Sequence, residues 1–244
     1  MSRLAQARNF VAARAQVIPF AGLVLAACLG GPPARGQDGP PLVGSLKGNI
    51  YTSATGAFEI ASPVSPDLGG VIVDTPNVVT FEDSFTTFVT IVAFQLDATQ
   101  KWELDTASSR RDYLISFFTE HVLPDFRGSF PSVQVEPTGR FLPGMLDGAF
   151  LVYLLIPGGS MFAHPELQIA AETKPPVAKR GNLLFVRNGY IFVVSTELAE
   201  RITEGTAYHQ TSDQEDQILR DRLIDIVTRM RFLAPAAAGA PAAH

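Results

Sequence analysis

Few residues in this chain have both the type and the spacing to do chemistry. Cys28 is the only cysteine and follows Leu25-Ala26-Ala27 at the end of an apolar segment. A single thiol cannot close an internal disulfide, so its chemistry is that of a lone modifiable group. Ser160, His164 and Glu166 are the residue types of a hydrolytic triad. They lie too close in sequence for a nucleophile elbow, and no G-x-S-x-G surrounds the serine. Gly158-Gly159 beside them reads as a turn. Glu120 and His121 are helix neighbours about 100° apart, with no second ligand at i+3 or i+4, so they do not make a zinc site. His209 and His244 stand alone. Glu103 and Asp105 alternate, which on an extended chain places both on one face, and they read as solvated surface. No EF-hand spacing, P-loop or G-x-G-x-x-G occurs. The expectation is no catalytic residue, no metal and no cofactor.

The elements that would position Cys28 are clearer. Arg3, Arg8 and Arg14 precede an apolar run from Val17 to Ala27, broken by Pro19 and Gly22. The run is shorter than the roughly 18–20 residues a spanning helix needs. A basic stretch, an apolar run and small residues form an export signal. With a cysteine next, the segment resembles the lipobox of bacterial lipoproteins. That resemblance implies cleavage between Ala27 and Cys28 and a lipid-modified thiol, palmitate among its acyl chains. One acyl chain anchors marginally and two or three anchor stably. An ordinary secretory signal would fit the small residues too and would leave Cys28 incidental. Leu29 stands where an aspartate would favour the inner membrane, which leans toward the outer membrane, facing the periplasm.

Four segments follow. Residues 1–27 are the signal peptide and 28–44 a Pro/Gly-rich tether that cannot form helix or sheet interior. Residues 45–232 are a single α+β domain, and 233–244 an Ala/Pro tail of low complexity. The chain has 244 residues, 46% hydrophobic and 18% charged, with net charge −5. That balance belongs to a globular body. Its acidity, without Lys/Arg clusters, argues against a nucleic-acid partner.

Within the body, Ile50-Tyr51-Thr52 and Ala57 to Ile60 flank Ala54-Thr55-Gly56 as a short hairpin. Val71 to Val73, Val78 to Phe81 and Phe85 to Leu96 are β-rich. Ser108 to Val122 has helical spacing through Tyr113, Leu114, Phe117, Phe118 and Val122, and Pro124 should end it. Ala149 to Ile156 reads as a central strand covered on both faces. Pro157 to Ala178 is loop-like. Leu183 to Ser195 is a hairpin on Asn188-Gly189, the dipeptide of a type I′ turn. A closing amphipathic helix has capping-box spacing at Ser212 and Glu215 and apolar residues at Ile218, Leu219, Leu223, Ile226, Val227 and Met230. Asp213, Glu215 and Asp216 suit the positive end of its dipole. The fold class is α+β, an antiparallel sheet with helices packed against it.

This order resembles the PsbP-like proteins. The residues that carry it are Tyr51…Gly56-Ala57-Phe58-Glu59-Ile60…Pro63, the helix before Pro124, the Asn188-Gly189 hairpin, and a closing helix through Ile226-Val227…Met230…Phe232. The tryptophan common after the opening strands is missing, and Trp102 sits elsewhere. The resemblance implies an accessory or binding role. The 17 phenylalanines, among them Phe81, Phe85, Phe88 and Phe94, read as core. The loop through Met161, Phe162 and His164 is the candidate apolar tip for a partner, unless it folds back on the domain. The expected function is a lipid-anchored cell-envelope protein, a non-catalytic binding or accessory module of an envelope assembly. The alternative is a carrier or sensor of an apolar small molecule, and a hydrolase is third.

Overall fold

The computed structural model describes residues 41–163 and 176–234. A small sheet contains β1 (Ser45–Lys47), β2 (Ile50–Thr52), β3 (Phe58–Ala61) and β12 (Met230–Phe232), in the order β1-β2-β3-β12. A larger sheet runs β4-β5-β6-β11-β10-β9-β7. Its members are β4 (Val71–Asp74), β5 (Val78–Glu82), β6 (Phe88–Gln95), β7 (Gln134–Val135), β9 (Ala149–Pro157), β10 (Val177–Arg187) and β11 (Tyr190–Glu197). β8 (Arg140–Leu142) also pairs with β9, along Ala149 to Leu151, whereas β7 pairs with it at Leu154 and Leu155. All pairings are antiparallel. The helices are α1 (Ala98–Thr106), α2 (Arg110–Phe117), α3 (Leu123–Ser129), α4 (Glu200–Thr203) and α5 (Ser212–Thr228).

The large sheet is covered on both faces, which is why its central strands are apolar without alternation. Along β10, Leu183 and Phe185 enter a core shared with α5 and the small sheet, where Tyr51, Phe58, Leu219 and Leu223 also lie. Leu184 and Val186 enter a second core with Leu114, Phe117, Phe118 and Phe126 of the α2–α3 side. Strand side chains point alternately to opposite faces, so one strand feeds both cores. The antiparallel α+β class read from the sequence is the one observed, with the strands divided between two sheets.

Asp74 ties the sheets together. It accepts hydrogen bonds from the Tyr51 hydroxyl at 2.8 Å and from the backbone of Val43 at 2.9 Å and Gly44 at 2.7 Å. The β10–β11 turn places Asn188 at φ 50° and Gly189 at φ 77°, the left-handed pair that Asn-Gly favours.

Four local expectations are corrected. Pro124 does not end its helix. A π-helical turn over Phe118–Val122 widens the backbone, with the Leu123 N–H bonding back to the Phe118 carbonyl, and α3 continues with Pro124 in its first turn. Proline tolerates a helix only where its missing N–H is not needed, and the wider turn creates such a place. The closing capping box is Thr211 with Gln214, one residue before the expected pair. Met230–Phe232 is strand β12 on β3 rather than more helix. β10 begins at Val177, inside the expected loop.

Candidate functional site

α1 starts at a capping box that sequence inspection overlooked. Asp97 accepts from the Gln100 N–H at 2.8 Å, and the Gln100 side chain accepts from the Asp97 N–H at 3.1 Å. α1 buries none of its residues, and Trp102 on it is 65% exposed. α2 is capped by Ser109, which accepts from the Asp112 N–H at 3.1 Å while its hydroxyl donates to the Asp112 carboxylate at 2.8 Å. α2 buries Tyr113, Leu114 and Phe117. Because only α2 is seated in the core, a groove of about 390 Å³ opens along α1, α2 and the π-helical turn.

Glu103, Asp112 and Glu120 give this groove three carboxylates, and no lysine or arginine lines it. These three residues are exposed, whereas Tyr113 and Phe117 are each 4% exposed, so acids make the rim and rings the floor. The His121 ring lies 4.9 Å from that of Phe117, and Ser116 donates to Glu120 at 2.8 Å. The Tyr113 hydroxyl is buried without a hydrogen-bond partner among the described residues. Burial, with the charges of Glu103 and Asp97, pushes its pKa up to about 12. Most buried polar atoms are paired, so this orphan, on a residue that lines a volume of small-molecule size, stands out. π-helical turns frequently mark such places too.

Two further polar clusters are internal. Lys179 is wholly buried, with Asp216 at 2.6 Å, Glu136 at 2.8 Å and Glu215 at 3.3 Å. Arg201 and the Tyr208 hydroxyl also reach Glu215, at 2.6 Å and 3.0 Å. On the opposite face of β10, Arg180 meets Glu197 at 3.0 Å and the Gly159 carbonyl at 2.8 Å, above the Phe88 ring. These groups satisfy one another and hold α5 and the loop after β9 in place. The sequence signal was two adjacent cations, Lys179 and Arg180, inside a stretch of strand character.

Among the residues singled out from sequence, Cys28, Ala27, His164, Glu166 and His244 lie outside the described residues. Phe162 is buried against Phe88 and Ala199, with Met161 partly buried beside it, so this part of the loop folds back. Ser160 donates to Glu197 at 2.5 Å. Glu103 and Asp105 belong to α1 rather than to an extended segment, and only Glu103 lines the groove, since positions two apart on a helix do not share a face. Glu120 and His121 both line it. His209 is exposed before α5. Phe85 is 68% exposed, outside the core assigned to it. Among the described residues no three His, Cys, Asp or Glu are grouped to hold a metal ion, and no helix is long and apolar enough to cross a membrane.

No known protein family matches the sequence, and no curated protein matches it. Solved structures similar in arrangement include cyanobacterial PsbP from Synechocystis, 11% identical with a TM-score of 0.43, covering 78% of this chain and 99% of that one. The Ran-binding protein Mog1p of Saccharomyces cerevisiae is 11% identical with a TM-score of 0.40, over 78% and 97% of the two chains. A Bacteroides thetaiotaomicron protein is 9% identical with a TM-score of 0.34 over 77% of this chain. This chain spans about half of that protein, 49% of its length.

Proposed function

We propose that this chain is a lipid-anchored, non-catalytic binding module of the bacterial cell envelope. In this reading Cys28 carries the lipid, residues 28–44 hold the domain off the membrane, and the groove between α1 and α2 is its contact face. The anchor rests on the Leu25-Ala26-Ala27-Cys28 segment and the basic, apolar stretch before it. The observation that carries the binding role is the groove. It has the volume of a ligand site, an acidic rim and a buried hydroxyl left without a partner. The outer membrane, facing the periplasm, is the proposed location.

Carriage or sensing of an apolar small molecule is the second reading, favoured by a groove of about 390 Å³ that Tyr113 and Phe117 line.

The test is capture from cross-linked native membranes, with the wild type beside Cys28→Ser and a groove variant, Glu103→Gln with Asp112→Asn. The expected result is membrane association lost only in Cys28→Ser, and a specific companion lost in the groove variant. If Cys28→Ser partitions like the wild type, the anchor is wrong. If no companion or co-purifying molecule accompanies the wild type, the binding module is wrong.

A further inference from the structure

Among the described residues seven large apolar side chains are exposed, and four of them, Val43, Leu46, Ile50 and Val71, belong to β1, β2, β4 or the chain entering β1. β1 ends the small sheet and β4 ends the large one. Asp74, the last residue of β4, accepts from the backbone of Val43 and Gly44 and from the Tyr51 hydroxyl, so the β1–β2 hairpin and β4 lie side by side. A Cβ on Gly44 would stand 2.5 Å from the Thr52 carbonyl oxygen, so the chain enters the domain at a tight, fixed point.

Leu46 stands opposite Tyr51 and Lys47 opposite Ile50, which puts Leu46 and Ile50 on opposite faces of the hairpin. Both are exposed nonetheless, as is every residue from Ser45 to Ile50, so the hairpin tip stands clear of the cores. Residues 41–50 contain one lysine, Lys47, and no acid, in a chain of net charge −5.

We infer that the tip of the β1–β2 hairpin rests on a lipid bilayer, the one that holds the Cys28 lipid. This rests on the reading of Cys28 as the anchor: residues 28–40 set how far the domain can stand off, and the hairpin is where it touches. Those residues span at most about 45 Å, about one diameter of a domain this size. The surface beside the point of entry is therefore the part kept nearest the lipid. Attachment makes the contact intramolecular, so it needs little affinity of its own. Val43, Leu46 and Ile50 find apolar surroundings at the boundary of headgroups and acyl chains, and Lys47 meets lipid phosphate. A partner strand is a poorer occupant, because β1 offers only three residues to pair with. α1 and α2 belong with the second core, across the large sheet from the hairpin, so the groove between them stays open.

The experiment uses the full chain purified from membranes and reconstituted in vesicles of phosphatidylethanolamine and phosphatidylglycerol, three to one, with part of the lipid acyl-brominated. Trp102, the only tryptophan, reports from α1 in the wild type. Ile50→Trp in a Trp102→Phe chain reports from the hairpin, and Leu46→Trp in the same background is the second reporter. The expected result is about twofold quenching and a blue shift at either hairpin reporter, with Trp102 unquenched. Adding Leu46→Ser/Lys47→Glu to the Ile50→Trp reporter should abolish the quenching, with the melting temperature unchanged and the protein still on the vesicles. Vesicle-bound protein whose hairpin reporters are no more quenched than Trp102 overturns the inference, as does quenching that survives Leu46→Ser/Lys47→Glu. A blue shift that grows with protein concentration and appears in Cys28→Ser without vesicles also overturns it, in favour of a second copy of this chain. In each of these cases the anchor reading stands. If the full chain washes off the vesicles, the anchor reading itself fails and the inference falls with it.

Discussion

Lys179 Nζ lies 2.6 Å from a carboxylate oxygen of Asp216, and none of the Lys179 side chain reaches solvent. The two residues stand on β10 and in the first turns of α5. Glu136, beside β7, completes the contact at 2.8 Å. The Tyr153 hydroxyl donates to the Asp216 carbonyl at 2.9 Å. Burial alone would lower the lysine pKa, but hydrogen bonds and charge from Asp216 and Glu136 raise it. Lys179 therefore stays charged throughout the range in which the fold would be studied.

Removing that charge strands the acids. Lys179→Met should cost about 3–5 kcal/mol, the usual loss when one partner of a buried ion pair is deleted. For a domain of this size that is on the order of 10 °C in melting temperature. A scan by circular dichroism decides it. A change below about 1 kcal/mol would mean that the cluster contributes little net stability.

Asp125 behaves in the opposite sense. Burial raises its carboxyl from 3.8 to about 6, and one of its oxygens has no partner among the described residues. Its folded pKa lies above the unfolded one, so the folded state binds more protons between pH 4 and 6. Stability therefore falls as pH rises through that window. Asp125→Asn should remove this fall and stabilise the protein at pH 7 by on the order of 1 kcal/mol, after allowing for solvent screening. Urea titrations of both proteins at pH 4 and pH 7 test this. A variant with the wild-type pH slope would refute it.

Gly181 sets the approach of α5 to β10. A Cβ there would stand 2.9 Å from Leu223 Cδ1 and 3.2 Å from Leu219 Cβ. The leucine tip can turn aside, but the Cβ of Leu219 cannot move without its helix. Gly181→Ala should already press α5 away from β10 and cost about 1 kcal/mol, and Gly181→Val should lift it further, for about 1–3 kcal/mol. Comparing the two variants by chemical denaturation separates crowding from a general intolerance of side chains.

Glu197 governs the loop after β9. It accepts from the Ser160 hydroxyl at 2.5 Å and from the Met161 N–H at 3.2 Å while pairing with Arg180. Glu197→Gln should loosen residues 158–163 and leave Arg180 without its buried counter-charge. Ser160→Ala should cost only about 1 kcal/mol, one hydrogen bond. Hydrogen exchange of the Met161 and Phe162 amides measures both. Slow exchange retained in Glu197→Gln would show that Phe162 packing, not the carboxylate, fixes the loop.

Local signals along the chain determined local structure. Asn188-Gly189 forced a tight turn because only such residues take positive φ at low cost. The unbroken apolar run of Ala149 to Ile156 meant a strand covered on both faces, because no exposed face is left for polar groups. The 3.6-residue spacing of Leu219, Leu223 and Ile226 fixed the buried face of α5. The segment ending at Cys28 gives its own reading without any fold.

The tertiary structure alone decided what these elements meet. Lys179 and Asp216 find each other only because β10, running back from the Asn-Gly turn to Val177, passes beneath the N-terminus of α5. The rim of the groove joins Glu103, Asp112 and Glu120, which belong to α1, α2 and a π-helical turn. Helix spacing would have placed Glu120 and His121 apart. Both nonetheless line the groove. Hydrophobic periodicity reports which side of an element is buried, but it carries no information about which distant polar group waits there.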